Sequence, residues 1–147
     1  MHSIQDIVRT LQLEPHPEGG FYRRTYKNEG GPPGPGKTST VSNRGHASAI
    51  YYLQMPEFSL WHRTDGDELW FWHAGAPLTL EVRQDDGSAD AKTLGQDFAS
   101  GQSPQLLAPA NKWQRAKSLG NWTLVSCSVS PGFLFETYEL EKRGNSD

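Results

Sequence analysis

The chain has 147 residues, enough for one domain with a real hydrophobic core. Fourteen Lys and Arg against seventeen Asp and Glu give a net charge of -3, without the basic excess of a nucleic-acid binder. A single cysteine, Cys127, rules out an internal disulfide. With no signal-like start and no apolar run of membrane-span length, it leads to the expectation of a cytoplasmic protein without a membrane partner.

Helical spacing of Ile4, Ile7, Val8 and Leu11 after Ser3 predicts a short helix over about 3–13, stopped by Pro15 and Pro17. Gly19 and Gly20 then allow a tight bend into a first strand, Phe21 to Tyr26. Residues 28–40 are rich in Gly and Pro without a strict period and read as a flexible loop. Ala49 to Met55 is an apolar strand ended by Pro56. Asp65-Gly66-Asp67 reads as a hairpin turn joining Ser59–Thr64 to Glu68–His73. Further strands follow at Leu78–Val82, Thr123–Val129 and Phe133–Leu140. Many short strands with Gly and Pro turns make an all-β sandwich or barrel, with one helix at its start.

The chemistry concentrates in WHRTDGDELWFWHAG, Trp61 to Gly75. His62, Thr64, Glu68 and Gly75 keep the spacing of a motif that runs His-x-His, three residues, Glu, six residues, Gly, with Thr64 at the second histidine position. Pro109 to Gln114 keeps the spacing of a companion motif, Pro-x-Gly-x-x-His, with Gln114 at the histidine position. These are the metal motifs of the cupins, and the spacing selects a jelly-roll barrel, the double-stranded β-helix. PHPEGGFYRRTY, SAIYYL, HRTDGDELWFWHAG, PQLLAPANKWQ and CSVSPGFLFETYEL together resemble one branch of that superfamily, the family of unknown function Cupin_5. The resemblance covers nearly the whole chain and implies a jelly-roll that pairs as a homodimer. Similarity of cupins to sugar-nucleotide epimerases and metal-dependent oxygenases is analogy of fold alone.

Alternation along the expected hairpin points His62, Thr64, Glu68, Trp70 and Trp72 into the barrel, and Gln114 arrives from a later strand. Two readings follow. His62 and Glu68, with Gln114, are candidate ligands for a divalent transition metal such as iron, manganese, nickel or zinc. Gln114 and Thr64 are weak donors for such ions, so a further histidine, His16 or His46, would be needed. Alternatively His62 and Glu68 form a hydrogen-bonded pair that either satisfies two buried groups or moves protons in an isomerase- or epimerase-like reaction. The oxyanion donor is then sought among Tyr51, Tyr52, Gln114 or an arginine.

Trp70, Trp72, Gln114, Thr64, Tyr52 and Arg23 are the candidate substrate contacts, for an anionic or sugar-like small molecule. Arg23 and Arg24 face opposite sides of one strand, and one of them is expected at the barrel mouth. A non-catalytic binding module whose Trp70 and Trp72 clasp a ligand is the alternative to an enzyme. Cys127, alternating with Val125 and Val129, reads as core.

Overall fold

The computed structural model describes residues 2–28 and 45–142. The Gly/Pro segment expected as a loop therefore lies, from residue 29, outside the described residues. Helix α1, Ile4–Leu11, begins where Ser3 accepts a hydrogen bond from the Asp6 backbone and ends at Gln12, in the left-handed conformation with φ 57°. Eleven strands follow: β1 Glu14–Pro15, β2 Phe21–Lys27, β3 Ser48–Gln54, β4 His62–Arg63, β5 Asp67–Gly75, β6 Leu78–Arg83, β7 Ala89–Leu94, β8 Gln105–Ala108, β9 Gln114–Ser118, β10 Thr123–Ser130 and β11 Glu139–Leu140.

They form two antiparallel sheets, ordered β1-β2-β3-β10-β5-β8 and β11-β4-β9-β6-β7. Tyr52, Trp70, Val125 and Cys127 from the first sheet pack against Leu78, Leu80, Leu94 and Ala116 from the second. This is the jelly-roll architecture. The alternation of apolar and polar residues along β6 and β10 is what buries one face of each sheet while leaving the other half-exposed. Helix α1 lies on the outer face of the six-stranded sheet, where Ile7 and Leu13 pack with Leu53 and with Tyr51 and Leu124 around it. No helix among the described residues is long and apolar enough to cross a membrane.

Two expectations are corrected. Residues 59–64 and 68–73 are not a hairpin: β4 belongs to the five-stranded sheet and β5 to the six-stranded one. Thr64 Oγ1 donates to the Gly66 carbonyl, and the chain between them steps from one sheet to the other. A Cβ on Gly66 would lie 2.8 Å from the Pro131 carbonyl and Val129, so this crossing needs glycine for space. Phe133–Leu140 is not a strand throughout. After Pro131 it makes a single 3-10 turn at Phe135–Thr137 and pairs only at Glu139–Leu140, because Phe133, Phe135 and Tyr138 pack ring on ring. The turn at Asp85-Asp86-Gly87 leads from β6 into β7, which pairs along the whole of β6.

Candidate functional site

A cavity of about 300 Å³ opens between the sheets, within the size range of small-molecule sites. Its walls include Ile50, Tyr52, Glu68 and Cys127 of the six-stranded sheet and His62 of the other, with Thr64 beside them. His16, Glu18 and Tyr138 complete the interior, while Glu14, Arg24 and Phe135 stand exposed at the rim.

The segment Pro15 to Gly20 builds one side of this interior. It is a tight turn, clipped by His16 N–H to the Gly20 carbonyl at 3.0 Å and Gly19 N–H to the His16 carbonyl at 3.0 Å. Gly20 has φ 75°, and a Cβ there would come within 2.5 Å of the Leu53 carbonyl. Only glycine meets both demands. The turn places the Glu18 carboxylate, 3% exposed, inside the fold. Tyr52 holds the turn from below, its hydroxyl donating to the Gly19 carbonyl at 2.6 Å.

Glu18 and the segment leading into β4 are clasped twice. Leu60 N–H donates to the Glu18 carbonyl at 2.9 Å. His62 Nδ1 lies 2.9 Å from the Leu60 carbonyl and 3.2 Å from Glu18 Oε2. Both neighbours are acceptors, so Nδ1 carries the proton. Nε2 has no hydrogen-bond partner among the described residues and is open to the cavity that His62 lines. The same Glu18 oxygen accepts from the Tyr138 hydroxyl at 2.7 Å. The expected partner of His62 was Glu68. The partner found is Glu18, which sequence reasoning passed over because Pro-Glu-Gly-Gly reads as a bend; its signal was an acid set directly before two glycines.

Glu68 faces His62 from the other sheet. Its Oε1 accepts from Gln114 Nε2 at 2.7 Å, and Gln114 Oε1 accepts from the Trp70 indole at 3.1 Å. Burial, which penalises the charged form, pushes the Glu68 carboxyl up to about 7, with the Glu18 carboxylate adding to the rise; the charge on His62 and the Gln114 hydrogen bond oppose it. Burial likewise raises Cys127, whose thiol sits against Glu68, and Tyr52 and Tyr138 beside Glu18.

The remaining candidates are distributed as follows. Thr64 and Tyr52 line the cavity. Trp70 is fully buried core beneath it, and Trp72 is tied to the Ala76 carbonyl through its indole; neither lines the cavity. Gln114 lies behind Glu68 rather than on the surface of the cavity. Of the two arginines Arg24 is at the rim. Arg23 points to the outer face, donating to the Leu11 carbonyl at 2.7 Å and covering the Tyr51 ring, so Tyr51 is outside as well. Among the described residues no three of His, Cys, Asp or Glu are grouped to hold a metal ion. Of the residues sought to complete such a set beside His62 and Glu68, Gln114 has its Oε1 turned to Trp70 and its amide to Glu68, and His46 is an exposed residue that does not line the cavity.

A jelly-roll with a polar, partly enclosed cavity between its sheets defines the cupin class. The model of the Cupin superfamily family DUF985, Cupin_5, matches residues 5–141, and the chain belongs to that family. It is similar to protein SO0799 from Shewanella oneidensis, with 37% identity, a TM-score of 0.85, and coverage of 97% of this chain and 86% of that one. A hypothetical protein from Leishmania major is 28% identical with a TM-score of 0.82, over 96% of this chain and 88% of that chain. Protein YML079W of Saccharomyces cerevisiae is 27% identical over 95% of this chain and 76% of its own length.

Proposed function

We propose that the cavity is a proton-transfer site of the isomerase or epimerase kind, acting on a small hydroxylated carbonyl compound of sugar-like character. The observation that carries this reading is the His62–Glu18 contact. With a proton held at Nδ1 between two acceptors, the His62 ring in its neutral form presents a lone pair at Nε2 to the cavity. Glu18 stabilises the imidazolium formed when Nε2 takes a proton. Glu68, on the opposite sheet with a pKa near neutrality, is a second group able to give or take one.

The lining also narrows the ligand. Arg24 is the sole arginine or lysine among the described lining residues, against Glu14, Glu18 and Glu68. A multiply charged anion meets repulsion there. A neutral polyol, or a molecule with one anionic group reaching the rim, does not. The aromatic walls of Tyr22 and Tyr52 suit the flat faces of such a molecule.

The test is hydrogen exchange at carbon. The protein is incubated in deuterated water with a panel of aldoses, ketoses and simple hydroxyketones, and loss of the C–H signal beside the carbonyl is followed by NMR. At least one member is expected to exchange with wild type, and His62→Gln to slow it by about 100-fold or more. Equal exchange in the variant removes His62 as base. A second reading is favoured by one observation: the ring cluster of Phe133, Phe135 and Tyr138 at the cavity, with Phe135 57% exposed, is a ready-made contact surface. A binding module gives ligand-dependent shifts of the Phe133, Phe135 and Tyr138 ring resonances that persist in His62→Gln, with no exchange in wild type.

A further inference from the structure

Proton abstraction beside a carbonyl needs a hydrogen-bond donor where negative charge grows on oxygen. Most donors near the cavity are already committed. The Tyr52 hydroxyl donates to the Gly19 carbonyl, and the Tyr138 hydroxyl to Glu18. The Tyr22 hydroxyl sits against the Glu14 carboxylate. Gln114 spends its amide N–H on Glu68, and the Cys127 thiol also sits against Glu68.

His16 is different. Its side chain is 8% exposed and lines the cavity, stacked on Tyr52 at 5.1 Å and edge-on to Tyr22 at 4.4 Å. Its Nδ1 accepts from the Glu18 backbone N–H at 3.1 Å. The Glu18 carboxylate, 3.8 Å from that nitrogen, is beyond hydrogen-bonding distance. An acceptor nitrogen carries no proton, so the ring's one proton is on Nε2. That Nε2–H has no partner among the described residues and reaches the cavity. The two histidines of this cavity are thus set in opposite tautomers by the same glutamate: its carboxylate fixes His62, its amide fixes His16.

We propose that His16 is the hydrogen-bond donor to the substrate's carbonyl oxygen, through Nε2–H; this rests on the proton-transfer reading given above. The C–H proton beside the carbonyl passes to His62 Nε2. The C–H electron pair becomes the C=C bond of an enolate, and the carbonyl π pair moves to the oxygen held by His16. A proton returned to carbon, from His62 or from Glu68 on the other sheet, restores the carbonyl; no oxidant, reductant or leaving group takes part. Burial lowers the His16 pKa, with His62 adding to the fall and Glu18 opposing it, which keeps the ring neutral. A neutral imidazole shares its proton with the enolate without surrendering it.

The first test needs no substrate. Two-bond nitrogen–proton correlation on uniformly labelled full-length protein between pH 6 and 8 is expected to show His16 as the neutral Nε2–H form and His62, where neutral, as the Nδ1–H form. Glycolohydroxamate, a planar enediolate mimic, is expected to shift the His16 Nε2–H resonance downfield. His16 found as imidazolium or as the Nδ1–H form, or left unmoved by the mimic, overturns the proposal. The second test uses the exchanging panel member. His16→Leu is expected to lower kcat by about 100- to 1,000-fold with KM little changed, and His16→Gln, which keeps a donor, to lose far less. Wild-type kcat in a folded His16→Leu protein also overturns it. If wild type exchanges no panel member, the proton-transfer reading fails, and the spectra alone decide whether His16 donates to a bound oxygen.

Discussion

Among single residues, Glu68 ties the site most directly to stability. Its folded pKa is raised, to about 7, above the ordinary carboxylate value. The sign follows from linkage: protons bind the folded state more tightly, so the contribution is fully present below about pH 4.5 and is lost as pH rises through about 7. At pH 8 the buried charge therefore costs on the order of 3 kcal/mol. Glu68→Gln keeps the shape and removes the charge. It is expected to melt above wild type at pH 8 and level with it near pH 4.5, as thermal unfolding at the two pH values will show. An advantage independent of pH would mean that the carboxyl is not the titrating group. The same residues show what was legible in advance. Motif spacing alone brought out His62, Thr64 and Glu68, because three ligand-type positions in register on one segment are hard to mistake. Glu18 carried only a faint local signal, since its role depends on contact with a residue far away in the chain, and parity along β2 separated Arg23 from Arg24 without saying which looked inward.

At the level of elements, the turn before β2 and the helix before it do different jobs. Gly20 supports the site. Alanine there would sit at φ 75° against the Leu53 carbonyl and the Tyr52 ring, so Gly20→Ala is expected to cost about 2–5 kcal/mol and to disturb the cavity. Arg23 supports the scaffold only. It caps the last turn of α1 with a charged hydrogen bond, and Arg23→Met is expected to cost about 1–3 kcal/mol while leaving ligand binding unchanged. Chemical denaturation with a binding assay on both variants separates the two roles. Helix α1 was legible because its cap and its apolar spacing are local signals. The hairpin at residues 65–67 was misread for the opposite reason: a turn signal marks a change of direction, and nothing local says whether the next strand joins the same sheet or the facing one.

For the whole molecule, the decisive fact is that both sheets supply the cavity. His62 stands in one, Glu68, Tyr52 and Cys127 in the other, and a single core of residues from both fills the space beside them. The strand-borne part of the site is therefore expected to come apart only with the sheets. Near-ultraviolet circular dichroism, which reports the packed tyrosines and tryptophans, is expected to melt at the same temperature as the far-ultraviolet strand signal. A cavity that melted first would show the site to be a separate, weaker unit. The jelly-roll itself was readable from strand-like runs and motif spacing together. The pairing of β7, β8 and β9 was not, because their short sequences carry little alternation and owe their place to the strands already beside them.

The clasp between Glu18 and the Leu60–His62 segment has a consequence for how the cavity is assembled during folding. The two ends lie on strands of different sheets' approaches, and the chain between them must close as a long loop before either contact exists. Of the two imidazoles only His62 gains a partner by that closure, since the Glu18 amide that faces His16 belongs to the same turn. A newly made chain with its sheets paired but this clasp open would have the outline of the finished protein with Glu18 still apart from His62. The Glu18–His62 contact therefore waits on the meeting of two distant stretches rather than on the formation of any one strand.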